Sequence, residues 1–101
     1  MSASFSSNQR IIKCIDEGLQ VLGESTKHVI YHCLEKDFRL KKEEIREHPE
    51  MFEQAITSIF GEEGSKIIEE LIVQKIAQNF NLKPTSKLSF VEALQAVKSR
   101  E

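Results

Sequence analysis

A chain of 101 residues, 40% apolar and 30% charged, can bury one core without staples, and a net charge of −2 exerts no global pull on nucleic acid or anionic membrane. The longest aliphatic run, Leu71-Ile72-Val73, falls far short of the roughly 20 residues of a membrane span. Two cysteines cannot make a disulfide framework, and a polar, serine-rich start lacks the apolar stretch of a signal peptide, so a reducing, cytoplasmic setting is expected.

Residues 1–7 read as a flexible polar N-terminus and 8–101 as a single helical domain. The first helix is expected over about Asn8 to Leu22. Ile12, Ile15, Leu19 and Leu22 recur at steps of three and four, Ile11 widens their stripe, and Gly23 supplies the stop. Ser25 offers an N-cap for a second helix carrying Val29, Ile30, Cys33, Leu34 and Phe38. Arg39 to Glu47 reads as a charged connector with a short helical turn, anchored by Leu40 and Ile45. Pro49 suits the first position of a third helix, where its missing N–H costs nothing. Phe52, Ile56, Ile59 and Phe60 form its stripe, and Gly61 ends it.

Gly61-Glu62-Glu63-Gly64 predicts a tight break between two antiparallel helices. The fourth helix, from Glu62 or Ser65 to Asn79, carries Ile67, Ile68, Leu71, Ile72 and Ile76, a wide inner face suited to the centre of the fold. After a loop at Lys83 to Lys87, Ser89 and Glu92 have capping-box spacing, with Leu88 and Ala93 placed as a hydrophobic staple. Phe90, Val91, Leu94 and Val97 line the last helix. The expected fold is all-α, a compact bundle of about five helices.

Charge is unevenly spread. Residues 1–42 carry 7 basic and 5 acidic side chains, 43–70 carry 2 and 9, and 71–101 carry 5 and 2, so an acidic middle lies between basic flanks. Glu43, Glu44, Glu62, Glu63, Glu69 and Glu70 are the candidate interaction residues of that block. As adjacent pairs on a helix they diverge by about 100°, the geometry of solvated faces and not of paired catalytic carboxylates. Gly61 and Gly64 flank glutamates, which would repel a phosphate. The same glutamates disfavour a DNA-recognition helix there. Arg39, Lys41, Lys42, Lys83 and Lys87 leave nucleic acid as an alternative partner.

His28 and His32 share a helix face and are the only metal candidates, with a third ligand conceivable from Cys14, Glu24 or Glu35. No second ligand pair accompanies them, so no metal or cofactor is expected. Cys14 and Cys33 lie mid-helix in apolar patterns, away from the electropositive setting that activates a thiolate. An enzyme is not expected.

Several segments together are similar to a known family. They are Leu22-Gly23-Glu24-Ser25, Val29-Ile30-Tyr31, Leu34-Glu35-Lys36, Leu40 to Ile45, Pro49-Glu50 with Phe52, Ile59-Phe60-Gly61, and Lys66 to Glu69 with Leu71-Ile72. Across about residues 19–82 they resemble the Nitrosopumilus-type output domain, a small archaeal domain found alone or attached to signalling proteins. The resemblance implies an archaeal source, an all-α fold and a role downstream of signalling, and it carries no catalytic residue over. The function expected is a regulatory protein–protein interaction module with an unidentified protein partner. A homodimer is expected if a helix leaves a spare apolar stripe.

Overall fold

The computed structural model describes residues 7–82 and 89–99. The polar segment up to Ser6, the loop at Lys83 to Lys87 and the staple residue Leu88 lie outside the described residues. Ser7, expected in the tail, already belongs to the first helix.

Among the described residues every regular element is helical. In chain order they are α1 (Ser7–Gln20), α2 (Glu24–Phe38), a 3₁₀ turn (Lys42–Glu44), α3 (Pro49–Phe80) and α4 (Phe90–Ser99). The all-α expectation holds, but there are four α-helices instead of about five. The third and fourth expected helices are one stretch, α3, interrupted only at Gly61, whose φ of 79° and ψ of 174° are non-helical. A side chain rarely tolerates that φ, and glycine does.

Gly61 folds α3 back on itself. The Thr57 hydroxyl donates to Ser65 Oγ at 3.1 Å. Eight residues of straight helix would separate the two by about 12 Å. Glu53 and Glu69, each eight residues from Gly61, also meet through their carboxyls. Two contacts symmetric about one glycine make the two arms antiparallel. The break is thus a single residue, Gly61, and of the two expected starts of the second arm, Glu62 and Ser65, it is Glu62 that holds.

α3 packs against all three other helices. Its buried residues Phe52, Ala55, Ile56, Ile68, Ile72 and Ile76 form the middle of the core. Ile11, Cys14, Ile15 and Leu19 of α1 close over them. The α1 stripe is therefore turned from the expected one, and Ile12 and Leu22 are only half-buried. At the crossing, Gly18 removes the side chain that would stand between the helices: a Cβ there would lie 2.8 Å from Ile72 Cγ1 and 3.0 Å from Ile72 Cα. Phe52 stacks on Phe90 with ring centroids 5.1 Å apart, which ties α4 to α3.

The connections follow local chemistry. Gly23, at φ 105°, directly precedes α2, so Ser25 lies inside the first turn and does not cap it. α2 stops with Arg39 in the left-handed region, and the Leu40 N–H closes back on the Leu34 carbonyl at 3.0 Å. Leu40 and Ile45 are buried, as the charged connector requires. Pro49 opens α3. Before α4, the Glu92 N–H donates to Ser89 Oγ at 3.1 Å and the Ser89 N–H to Glu92 Oε1 at 2.9 Å, the reciprocal box the sequence predicts. The radius of gyration, 13.1 Å, matches the roughly 13 Å of a compact chain this long. No helix of the described residues is long and apolar enough to cross a membrane.

Candidate interaction surface

The fold-back of α3 decides which of its apolar side chains reach the core. Ile67 and Ile68 are neighbours in sequence, about 100° apart on the helix, so they cannot both face inward. Ile68 is buried, whereas Ile67 is 58% exposed. Near the end of the first arm, Ile59 and Phe60 are 38% and 37% exposed. The expectation that Ile59, Phe60 and Ile67 belong to the core is thereby corrected, and the inner face of the second arm is narrower than its composition predicts.

Ile59 and Phe60 directly precede the fold point, and Ile67 lies six residues after it on the second arm. Phe60 lies across Gly64, where an added Cβ would meet Phe60 Cβ at 2.8 Å. Glycine at 64 therefore leaves room for the Phe60 side chain, a role distinct from the turn-forming one of Gly61. On the second arm Glu63 is one turn before Ile67 and Glu70 one turn after it, so helical spacing aligns both carboxylates with that side chain. Glu62, Glu63 and Glu70 are all exposed. The result is an apolar tip with an acidic rim, in which Lys66 is the single cation between residues 59 and 70.

Inside the fold of α3 runs a polar seam. Thr57 donates to Ser65, and the buried Ser65 hydroxyl donates in turn to Glu69 Oε2 at 3.0 Å. Glu53 approaches the same carboxylate from the other arm. Burial, its hydrogen bond to Glu69, and the negative charges of Glu69 and Glu50 push the Glu53 carboxyl up to about 7. The Glu53 carboxyl is thus partly protonated around neutral pH, and the Glu69 carboxylate is occupied within the molecule.

The remaining candidates are dispersed. Glu44 accepts the Lys41 N–H at 3.0 Å and fixes the 3₁₀ turn. Glu43 lines a groove of about 350 Å³ with Asp16, Lys27, His28, Tyr31 and Lys42, among others. There the Tyr31 hydroxyl donates to Asp16, and Lys42 Nζ sits 5.5 Å from the Tyr31 ring centroid. Burial, then the bond to Asp16, raises the phenol well above its ordinary range. Lys27, Lys41 and Lys42 are matched in this groove by Asp16, Glu35 and Glu43, so its walls carry no net charge.

His28 and His32 are both exposed on α2. Among the described residues, no three His, Cys, Asp or Glu side chains come together as a metal site. Cys14, one of the conceivable third ligands, points into the core and donates to the Lys75 carbonyl at 3.6 Å. Burial, with Glu17 adding to it, pushes its thiol up to about 11, so it is almost wholly protonated at neutral pH. Arg39, Lys41 and Lys42 are exposed, whereas Lys83 and Lys87 lie outside the described residues. At the far end of the second arm, the Arg10 guanidinium lies 4.1 Å over the Phe80 ring and donates to the Asn79 carbonyl, beside Lys13.

No family model, curated protein or solved structure matches the chain.

Proposed function

We propose that this chain is a regulatory protein–protein interaction module that performs no catalysis of its own and works in the cytoplasm, the role its resemblance to the Nitrosopumilus-type output domains implies. The observation that carries the reading is the exposed apolar tip of α3. Val21 and Val29 are exposed as well, singly, but only at the fold of α3 do three exposed apolar side chains fall within nine residues of one another. Exposed apolar groups rimmed by polar ones are a common mark of protein contact. Of the six acidic candidates, Glu62, Glu63 and Glu70 frame that tip, while Glu44 and Glu69 have partners within the molecule.

The test is affinity capture on the tagged chain from lysate of its own cells, with and without nuclease, followed by titration of the captured protein in purified form. A nuclease-resistant protein that binds saturably when pure supports the module. A mixture lost on nuclease treatment transfers the reading to nucleic acid, with Arg39, Lys41 and Lys42 as the residues to mutate.

A further inference from the structure

We propose that the tip of α3 is a docking site for a basic amphipathic helix of a partner protein, an inference that rests on the interaction-module reading and specifies its ligand. Ile59 and Phe60 near the end of one arm, and Ile67 on the other, expose apolar surface on both sides of the Gly61 fold. The Phe60 side chain leaves the helix close beside Gly64, where an added Cβ would crowd the Phe60 Cβ at 2.8 Å. Around this patch the charge is one-sided: the exposed charges of residues 59–70 are Glu62, Glu63 and Glu70 against Lys66, a net −2.

Charge selects among the possible occupants. A second copy meeting this patch about a two-fold axis would set Glu62, Glu63 and Glu70 against themselves, since an isologous contact brings like residues together. Three side chains also expose far less than the roughly 1,000 Å² that a stable interface needs from both partners. Nucleic acid and an anionic bilayer surface are repelled by the same rim. A helix with an apolar stripe between lysines or arginines satisfies both features at once: its stripe covers Ile59, Phe60 and Ile67, and its cations meet the exposed carboxylates. A contact this small binds weakly, with Kd on the order of micromolar.

The probe is a synthetic amphipathic peptide of about 18 residues, five helical turns of leucine stripe and lysine face. Its companion carries glutamate in place of every lysine. Each is titrated into the isotope-labelled chain and followed by amide chemical shifts. The lysine peptide is expected to shift the amides of residues 59–70 and to weaken by about tenfold or more as salt rises from about 50 to 500 mM. The glutamate peptide is expected to leave the spectrum unchanged. Ile67→Ser, and separately Glu63→Lys with Glu70→Lys, should each lower affinity for the lysine peptide by about tenfold. All three positions are at the surface, and the dispersion of the remaining amides reports that the fold is kept.

Shifts centred elsewhere, equal binding of both peptides, or indifference to either variant would overturn the proposal. Concentration-dependent self-association abolished by Ile67→Ser would overturn it too, because the tip would then be covered by a second copy. A captured partner that binds these variants as well as the parent leaves the interaction module standing and removes the tip as its site.

Discussion

Two faces of α3 use the same side chains to opposite ends. Where α1 crosses it, Ile68, Ile72 and Ile76 are buried, and Gly18 lets the helix backbones approach until no side chain fits between them. At the fold point, Ile59 and Phe60 are more than a third exposed and Ile67 more than half, with exposed carboxylates near them in sequence. Isoleucine content cannot tell these regions apart. What separates them is the direction imposed by Gly61, which turns one stripe of each arm towards α1 and α4 and leaves another that meets no helix among the described residues. The packed face should respond to substitution through stability, and the open one through binding.

The packed face gives the largest effects. Phe52→Ala removes a fully buried ring and its stack on Phe90, and it should cost about 3–5 kcal/mol in chemical denaturation. A cost under about 1 kcal/mol would mean that α4 is not held by this pair. Gly18→Ala should come next. The new methyl meets the Ile72 backbone, which cannot swing aside as a side-chain end can, so overpacking of about 1–3 kcal/mol should outweigh the gain in helix propensity. Stabilisation by that substitution would contradict the close crossing.

The seam between the arms should show a smaller, pH-dependent effect. Glu53 binds its proton more tightly folded than unfolded, so its contribution is fully present below about 4.5 and is lost as pH rises through about 7. Glu53 is partly solvated, which screens the effect, and the difference in melting temperature across that window should be on the order of a few degrees. Glu53→Gln keeps a donor towards Glu69 without the charge. Thermal melts from pH 5 to about 8 should show a decline in the parent that is flatter in the variant. Parallel curves would contradict the raised Glu53 carboxyl. Smallest of all, Ile67→Ser should change stability by no more than about 0.5 kcal/mol, because the side chain is 58% exposed. A loss of about 2 kcal/mol would show that Ile67 is core after all.

What could be read from the sequence was what short spacing controls. Pro49 at the start of α3, the Ser89–Glu92 box, the anchors Leu40 and Ile45, and the helical class itself all follow from neighbours within about one turn. Periodicity was less decisive where apolar residues are adjacent. Ile11 beside Ile12, and Ile67 beside Ile68, leave two stripes open, and only the partner helix chooses between them. Gly18 interrupts the α1 stripe with no turn nearby, which was the available sign of a close crossing. Thr57 with Ser65 and Glu53 with Glu69 looked like unrelated polar residues until the chain folds at Gly61. That pairing is tertiary, and its one trace in the sequence is symmetry about a single glycine. The acidic candidates divided for the same reason: Glu69 faces the other arm of α3, whereas Glu62, Glu63 and Glu70 face solvent.

The fold-back of α3 places both the seam and the tip, so its most direct test is a nuclear Overhauser measurement between the side chains of Thr57 and Ser65 in the labelled chain. Strong contacts between these residues, together with contacts between Glu53 and Glu69, are the expected result. Helical contacts running unbroken through Gly61, with Thr57 and Ser65 silent towards each other, would mean a straight α3 about 48 Å long. That result would contradict the seam, the exposed tip and the docking site together.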